Sequence, residues 1–351
     1  MIDMERYGFS DTMLPSNAAG MPARVTAVHR DRFELVCERG QTFGRLKSAQ
    51  YYAGDEVFPT TGDYVLIDSI DSGDSRILQT LTRRSYFSRL DPSSSGRGEQ
   101  AVAANFDTVF IMQSLNKDFN LKRMERYLTL AWQSGAQPVV ALTKVDLVDG
   151  QTASERLESA RETALGAEVY AVSAKTGEGL DALQKYMQPK QTVVFLGSSG
   201  VGKSSLVNAL AGEKIMATAE IREDDSRGRH TTTYRQLMML SNGAMVIDTP
   251  GMRELGMWDV SEGIGQSFSD VERYFGQCRF SDCSHHSEPG CAVKAAIQRG
   301  ELSPERWESY QSLQNEAMFA DNRLTYDKQK QQWSRNIAKQ NKAAKARGGK
   351  S

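Results

Sequence analysis

Thr192-Val-Val-Phe-Leu-Gly197-Ser198-Ser199-Gly200-Val201-Gly202-Lys203-Ser204-Ser205 decides the fold. The apolar, β-branched run from Thr192 to Leu196 predicts a buried strand. Gly197 to Ser204 fits the pattern G-x-x-x-x-G-K-[ST], and Leu206, Val207, Ala209 and Leu210 then supply the apolar face of a helix. Strand, glycine loop and helix in that order form a phosphate-binding loop. The glycines let backbone N–H groups turn inward onto phosphate oxygens, and the helix N-terminus adds partial positive charge. In that context Lys203 reaches the β- and γ-phosphates and Ser204 ligates magnesium.

Upstream, the texture is one of alternating strands and helices. Strands are expected at Phe106–Leu115, Pro138–Leu142 and Ala167–Val172, and helices at Leu121–Trp132, Glu155–Leu165 and Leu180–Met187. This alternation predicts a parallel, doubly wound α/β sheet, whose ligands bind at the carboxyl ends of the strands. The residues at those ends are Thr143-Lys144-Val145-Asp146, Ser173-Ala174-Lys175 and, after Met245–Ile247, Asp248-Thr-Pro-Gly251. Thr143–Asp146 resembles the guanine-recognition motif of GTPases. Asp146 would accept both hydrogens of guanine N1 and N2, which adenine cannot offer, while the Lys144 stem lies along the base. Ser173–Lys175 resembles the second base-contact loop, and Asp248–Gly251 the γ-phosphate sensor, with Asp248 at the magnesium and the Gly251 N–H at the phosphate.

The order is that of a circular permutation: both base motifs precede the phosphate loop and the sensor closes the domain. Between helix and sensor, Gly228-Arg-His230-Thr231-Thr232-Thr233 lies in a polar switch loop, where Thr232 is the favoured magnesium ligand. Met252 stands where many GTPases place a water-orienting Gln, so slow intrinsic hydrolysis is expected. His230 is either the water-orienting group or a solvated loop residue.

The flanks carry two further units. Short β runs at Arg24–Val28, Arg32–Cys37, Asp63–Ile67 and Arg76–Leu81, separated by turn signals, suggest an OB-type barrel over residues 21–90, which is either an RNA reader or a structural domain. Residues 1–20 are expected to be flexible, and 91–104 to be a linker before an α/β domain spanning 105–259. Cys278-x4-Cys283-x-His285-x5-Cys291 offers the four N/S ligands of one closed structural zinc site in a mostly helical domain over 260–320, with His285 favoured over His286. Cys37 reads as a small core residue. Ser303-Pro304-Glu305 opens a helix, and the tail 321–351, with nine Lys and Arg against two Asp, is either a phosphate-backbone arm or a solvated helix.

A net charge of −1 restricts any nucleic-acid contact to local patches. There is no apolar signal region or membrane span, and the clustered cysteines do not form a secreted disulfide framework, so a cytoplasmic protein without membrane contact is expected.

Together the permuted motif order, the Gly-Arg-His-Thr-Thr-Thr loop, the barrel and the Cys/Cys/His/Cys spacing resemble one family over nearly the whole chain. It is the circularly permuted GTPases of small-ribosomal-subunit biogenesis (the RsgA, or YjeQ, family). Thr143 departs from the more usual Asn, and its shorter side chain is expected to weaken the bracing of the base loop. The resemblance implies hydrolysis of GTP to GDP, stimulated by the small ribosomal subunit, late in that subunit's maturation. It also implies contacts to ribosomal RNA through barrel and zinc domain, and a catalytic role for His230. A monomer is expected. A GTPase acting on tRNA or a translation factor, and a nucleotide-gated RNA scaffold of negligible turnover, are the other readings of the same residues.

Overall fold

The computed structural model describes residues 1–30, 32–46, 57–70, 73–90, 99–116, 118–216, 235–248 and 260–320. Its centre is a sheet of β8 (Thr108–Ser114), β9 (Gln137–Thr143), β10 (Glu168–Val172), β11 (Thr192–Gly197), β12 (Gln236–Met239) and β13 (Met245–Asp248) in the order β10-β9-β8-β11-β13-β12. All pairings are parallel except the β12–β13 hairpin. All seven residues of β8 are buried, as the continuous apolar runs of such strands require when helices cover both faces.

Successive side chains point to opposite faces. Val109, Ile111, Val140, Leu142, Val194 and Leu196 pack with Met124, Leu128 and Ala131 of α1 (Leu121–Gln133). Phe110, Met112, Val139, Val193 and Phe195 pack with Leu206, Val207 and Leu210 of α3 (Lys203–Ala211). Helix α2 (Gly150–Thr163) follows β9, and the expected helix before β11 is a 3-10 helix over Leu180–Tyr186.

Five N-terminal strands close into a barrel: β1 (Met21–Val28), β2 (Phe33–Cys37), β3 (Gly40–Leu46), β4 (Tyr64–Asp68) and β5 (Ser75–Thr80). Their order is β1-β2-β3-β5-β4, with β4 returning to β1. Ala23, Val25, Leu35, Val65, Ile67 and Ile77 fill it, and Cys37 is the small core residue expected. Strand β3 was not among the expected runs. Its wall position depends on Gly44, where a Cβ would meet Leu35 Cδ1 at 2.6 Å, so the residue that allows the packing also hides the strand pattern.

Two expectations are corrected. Residues 1–20 carry 3-10 turns at Met4–Tyr7 and Asp11–Met13, and Met4 and Phe9 are buried against Tyr64, Leu66 and Leu81. Not all of 91–104 is linker: β7 (Glu99–Ala104) pairs antiparallel with β6 (Tyr86–Leu90), and Phe87 stacks on Phe106 at 4.8 Å. The small alternating residues Ala101 and Ala103 gave little hydrophobic signal for that strand.

After residue 260 the chain forms α4 (Ser261–Ser267), α5 (Ser269–Glu272), α6 (Ala292–Gln298) and a helix over 304–320. Gly263 lies against α1 so closely that a Cβ there would sit 2.2 Å from the Thr129 carbonyl oxygen. Arg306 locks the same contact, with Nη1 2.6 Å from Glu125 Oε1 and Nη2 3.0 Å from Asp270 Oδ1.

Candidate nucleotide site and metal centre

The motif residues meet at the carboxyl ends of the parallel strands. β11 ends at Gly197, where a Cβ would come 2.9 Å from the Met112 carbonyl oxygen, so only glycine fits. Gly200 and Gly202 have φ of 76° and 101°, turning the loop back over the strand end before Lys203 starts α3 with Ser204 and Ser205. Ser199 and Gly200 are exposed at the tip, and buried Val201 anchors the loop.

Lys203 Nζ lies 2.5 Å from Asp248 Oδ1, both side chains being partly buried. The loop's ammonium and the sensor's carboxylate thus converge on one point beside α3. This donor set suits a phosphate oxygen and a hard cation, so Lys203, Ser204 and Asp248 fit a magnesium-bound polyphosphate.

The base motif braces the loop. Lys144 has φ 62°, and its Nζ donates to the Gly200 carbonyl at 2.6 Å. Thr143 Oγ1 donates to the Val201 carbonyl at 2.6 Å. The hydroxyl is buried at the strand end and ties β9 to the phosphate loop. Val145 and Asp146 open a 3-10 turn, with Asp146 exposed. Ser173 Oγ donates to Asp146 Oδ1 at 2.7 Å and accepts from the Lys175 and Thr176 amides at 3.2 and 3.1 Å. Ala174 lies within that turn. Ser173 thus couples the two base loops and leaves the second Asp146 oxygen for a donor pair. His230 and Thr232 of the switch loop, Gly251 of the sensor and Met252 lie outside the described residues.

Cys278, Cys283, His285 and Cys291 form the second centre, their ligand atoms all within 4.8 Å of one another. His285 Nδ1 is 3.4, 3.6 and 3.5 Å from the three sulfurs. A tetrahedral ion with Zn–S of about 2.3 Å and Zn–N of about 2.05 Å has S···N edges of about 3.6 Å, so one zinc fits. His285 takes φ 63° to present Nδ1, its ring stacks on Phe275 at 4.6 Å, and the Ala292 amide donates to Cys278 Sγ.

The RsgA GTPase family model matches residues 80–258, half of the chain. The "Small ribosomal subunit biogenesis GTPase RsgA 2" of Listeria monocytogenes serotype 4b (strain F2365) is 46% identical over 320 residues, covering 90% of this chain and 90% of that protein. The chain belongs to the RsgA GTPase family. The "Small ribosomal subunit biogenesis GTPase RsgA" of Methanosarcina acetivorans is 42% identical over 300 residues, with 85% of this chain and 80% of that protein covered.

Among solved structures, YjeQ from Thermotoga maritima aligns with a TM-score of 0.63 at 26% identity, covering 84% of this chain and 96% of that one. YloQ, described as a circularly permuted GTPase, shares the fold with a TM-score of 0.57 at 22% identity, covering 90% of this chain and 97% of that one. An ABC transporter model also matches residues 180–341. That span holds the phosphate loop common to both classes but neither Asp146 nor Ser173, the residues expected from the sequence to read the base.

Among the described residues no helix is long and apolar enough to cross a membrane. Two groups escaped the sequence. Asn208 of α3 accepts from the Ile215 and Met216 amides at 2.9 and 2.8 Å and so fixes the chain entering the switch loop. Asp118 accepts from Ser198 Oγ beneath the phosphate loop. Neither belongs to a spaced motif, and only the folded loop shows their targets.

Proposed function

We propose that this chain hydrolyses GTP to GDP and phosphate and acts on the small ribosomal subunit late in its maturation, in the cytoplasm and as a monomer. The observation that carries the reading is the Ser173–Asp146 contact at one end of a phosphate loop whose Lys203 meets Asp248 at the other. That span selects a guanine base and a polyphosphate together.

In this reading Asp146 accepts from guanine while Lys144 covers the base, and backbone amides of Gly197 to Ser205 hold the phosphates. Lys203 neutralises the β- and γ-phosphate oxygens. Ser204, Asp248 and Thr232 hold a magnesium ion, which supplies further positive charge to the same oxygens. The Gly251 N–H meets the γ-phosphate, and His230 orients the attacking water in place of the glutamine that Met252 does not provide. The barrel and the zinc domain contact ribosomal RNA. The domains are a barrel over 21–90, a permuted GTPase over 105–259, a zinc domain over 260–320 and a basic tail beyond.

The test is GTP turnover by the purified protein, alone and with small or large ribosomal subunits, with Lys203→Ala as the blank. Strong stimulation by the small subunit alone is expected. Stimulation by neither subunit, with GTP binding intact, would overturn the subunit reading and favour a tRNA-directed GTPase or an RNA scaffold.

A further inference from the structure

The phosphate loop is held from three sides, and only two belong to the base motif. Thr143 bonds the Val201 carbonyl and Lys144 the Gly200 carbonyl, which fixes the loop's far half. The near half is held from the turn between β8 and α1. There Ser198 Oγ donates to Asp118 Oδ2, and Arg123 Nη2 lies 2.9 Å from Asp118 Oδ1.

That turn is itself rigidly bonded. The buried Gln113 side chain donates to the Asn120 carbonyl at 2.7 Å and accepts from the Asn120 amide at 2.8 Å. Asn120 Oδ1 caps α1 by accepting from the Arg123 amide at 2.9 Å, and Arg156 Nη1 donates to the Leu115 and Asn116 carbonyls. A carboxylate under a phosphate loop opposes anion binding by like charge. Burial also opposes its ionisation, yet the Ser198 hydroxyl, Arg123 and nearby Lys144 outweigh it and hold Asp118 below the usual carboxylate range. The Asp118 side chain is partly exposed, so solvent screens that repulsion and its main effect is through the bonds it makes.

We propose that Asp118 is a positioning residue for phosphate recognition: its carboxylate, fixed by Arg123, holds Ser198 and so sets the direction of the amides that open the phosphate loop. The proposal rests on the nucleotide reading of that loop. Asp118 touches no phosphate. It removes the freedom of the loop's first residues, which would otherwise be ordered at the cost of binding energy. Because Arg123 stands in the first turn of α1, and α1 carries the Gly263 and Arg306 contacts, the seat of the loop is continuous with the docking surface of the zinc domain.

The experiment is calorimetric titration of the full chain with GDP and with GMP, for wild type, Asp118→Ala, Ser198→Ala, the double variant and Asp118→Asn. Loss of one charge-assisted hydrogen bond predicts GDP binding roughly ten-fold weaker in each alanine variant. The double variant should be no weaker than either single one, since both remove the same contact. GMP, which lacks the β-phosphate that the loop cradles, should weaken less than about two-fold by that same argument. Asp118→Asn retains one carbonyl oxygen for two donors and should fall between wild type and Asp118→Ala. A general structural role would weaken GMP and GDP equally and overturn the proposal. GDP affinity unchanged in Ser198→Ala, or losses that multiply in the double variant, would overturn it too, and Ser198→Ala decides the matter if Asp118→Ala does not fold. Wild-type protein that binds no GDP would instead sink the nucleotide reading on which the proposal stands.

Discussion

Ala27 in the barrel wall and Asp248 beside Lys203 are separated by a single strand, because Gln236 pairs with Ala27 on one side and with Asp248 on the other. Barrel and nucleotide site thus belong to one hydrogen-bonded sheet of eleven strands. The crossing is narrow. Among the described residues it includes the Ala27–Gln236 bridge and the buried Thr61 hydroxyl, which donates to the Arg235 carbonyl at 3.2 Å. In the sequence, residues 235 and 236 immediately follow the polar segment that carries Gly228 to Thr233.

Thr61→Val removes the hydroxyl while keeping the shape. The loss of a hydrogen bond of about 1 kcal/mol should speed amide exchange in Gln236–Met239 roughly five-fold. Amides of β8 and β9 should be unaffected, since their pairings lie on the far side of β11. Equal exchange in β12 of both proteins would show that the hydroxyl does not tighten the crossing.

Arg24 is the second tie between the two units. It is fully buried, and its guanidinium donates to the carbonyls of Tyr7, Gly62 and Asn105 and to Thr192 Oγ1 at the start of β11. Burial lowers its pKa, opposed by Tyr64, Asp107 and Asp63 nearby. Arg24→Met fills similar volume but leaves the Asn105 carbonyl and Thr192 Oγ1 without this donor, while the Tyr7 carbonyl keeps the Tyr64 hydroxyl and the Gly62 carbonyl keeps Asn105 Nδ2. At about 1 kcal/mol for each of these two acceptors, stability to urea should fall by about 2 kcal/mol. A loss below about 1 kcal/mol would show that these groups find other partners on relaxation.

The fold was legible wherever one periodicity ruled a whole element. Val193–Leu196, Val139–Leu142 and Val109–Met112 are strands buried on both faces, and their continuous apolar runs announce it. β3 and β7 were not legible, because Gly44 and the alanines of β7 are small where a neighbouring strand or ring comes close. The Cys/Cys/His/Cys cluster was legible from spacing, since short loops carry all four residues. The Thr143–Val201 bond was not, because its length depends on how near β9 brings the phosphate loop. Asp118 and Asn208 lie outside any spaced pattern and act across 80 and 7 residues of sequence respectively.

Removal of the metal should loosen one region and not the whole chain. Chelation, or Cys283→Ser, takes one tetrahedral tie from the segment between α5 and α6, so residues 276–303 should lose exchange protection while the barrel keeps it. Metal analysis should give one zinc per chain in wild type and in Cys37→Ser, since Cys37 lies in the barrel core. One zinc per chain in Cys283→Ser as well would contradict the ligand set.

Glu288 closes the turn between His285 and Cys291. The Ser284 hydroxyl and the amides around it hold its carboxyl at about 2. A depressed carboxylate stabilises the fold above its unfolded value of 4.5, and that contribution is lost as the pH falls through about 2. Glu288→Gln should therefore show a constant deficit relative to wild type above about pH 5, shrinking to nothing in strong acid. A carboxyl NMR titration with its midpoint near the usual glutamate value would show that the turn does not hold the charge.

The sharpest test of the base-reading assignment is Asp146→Asn. Ser173 Oγ donates to one carboxylate oxygen of Asp146, and the introduced amide keeps an oxygen that can accept the same bond. Its NH2 group is then turned toward the base. Guanine presents donors at N1 and N2, so a donor would face a donor and GTP affinity should fall about a hundred-fold or more, as for a buried polar group left unpaired. Xanthine presents a carbonyl at position 2, which accepts from the amide, so xanthosine triphosphate should be bound and hydrolysed where wild type ignores it. Competition binding with the two triphosphates reads both effects at once. Retained GTP preference in the variant would mean that Asp146 does not face the base, whereas loss of GTP without gain of the xanthine nucleotide would mean that Ser173 does not orient the amide.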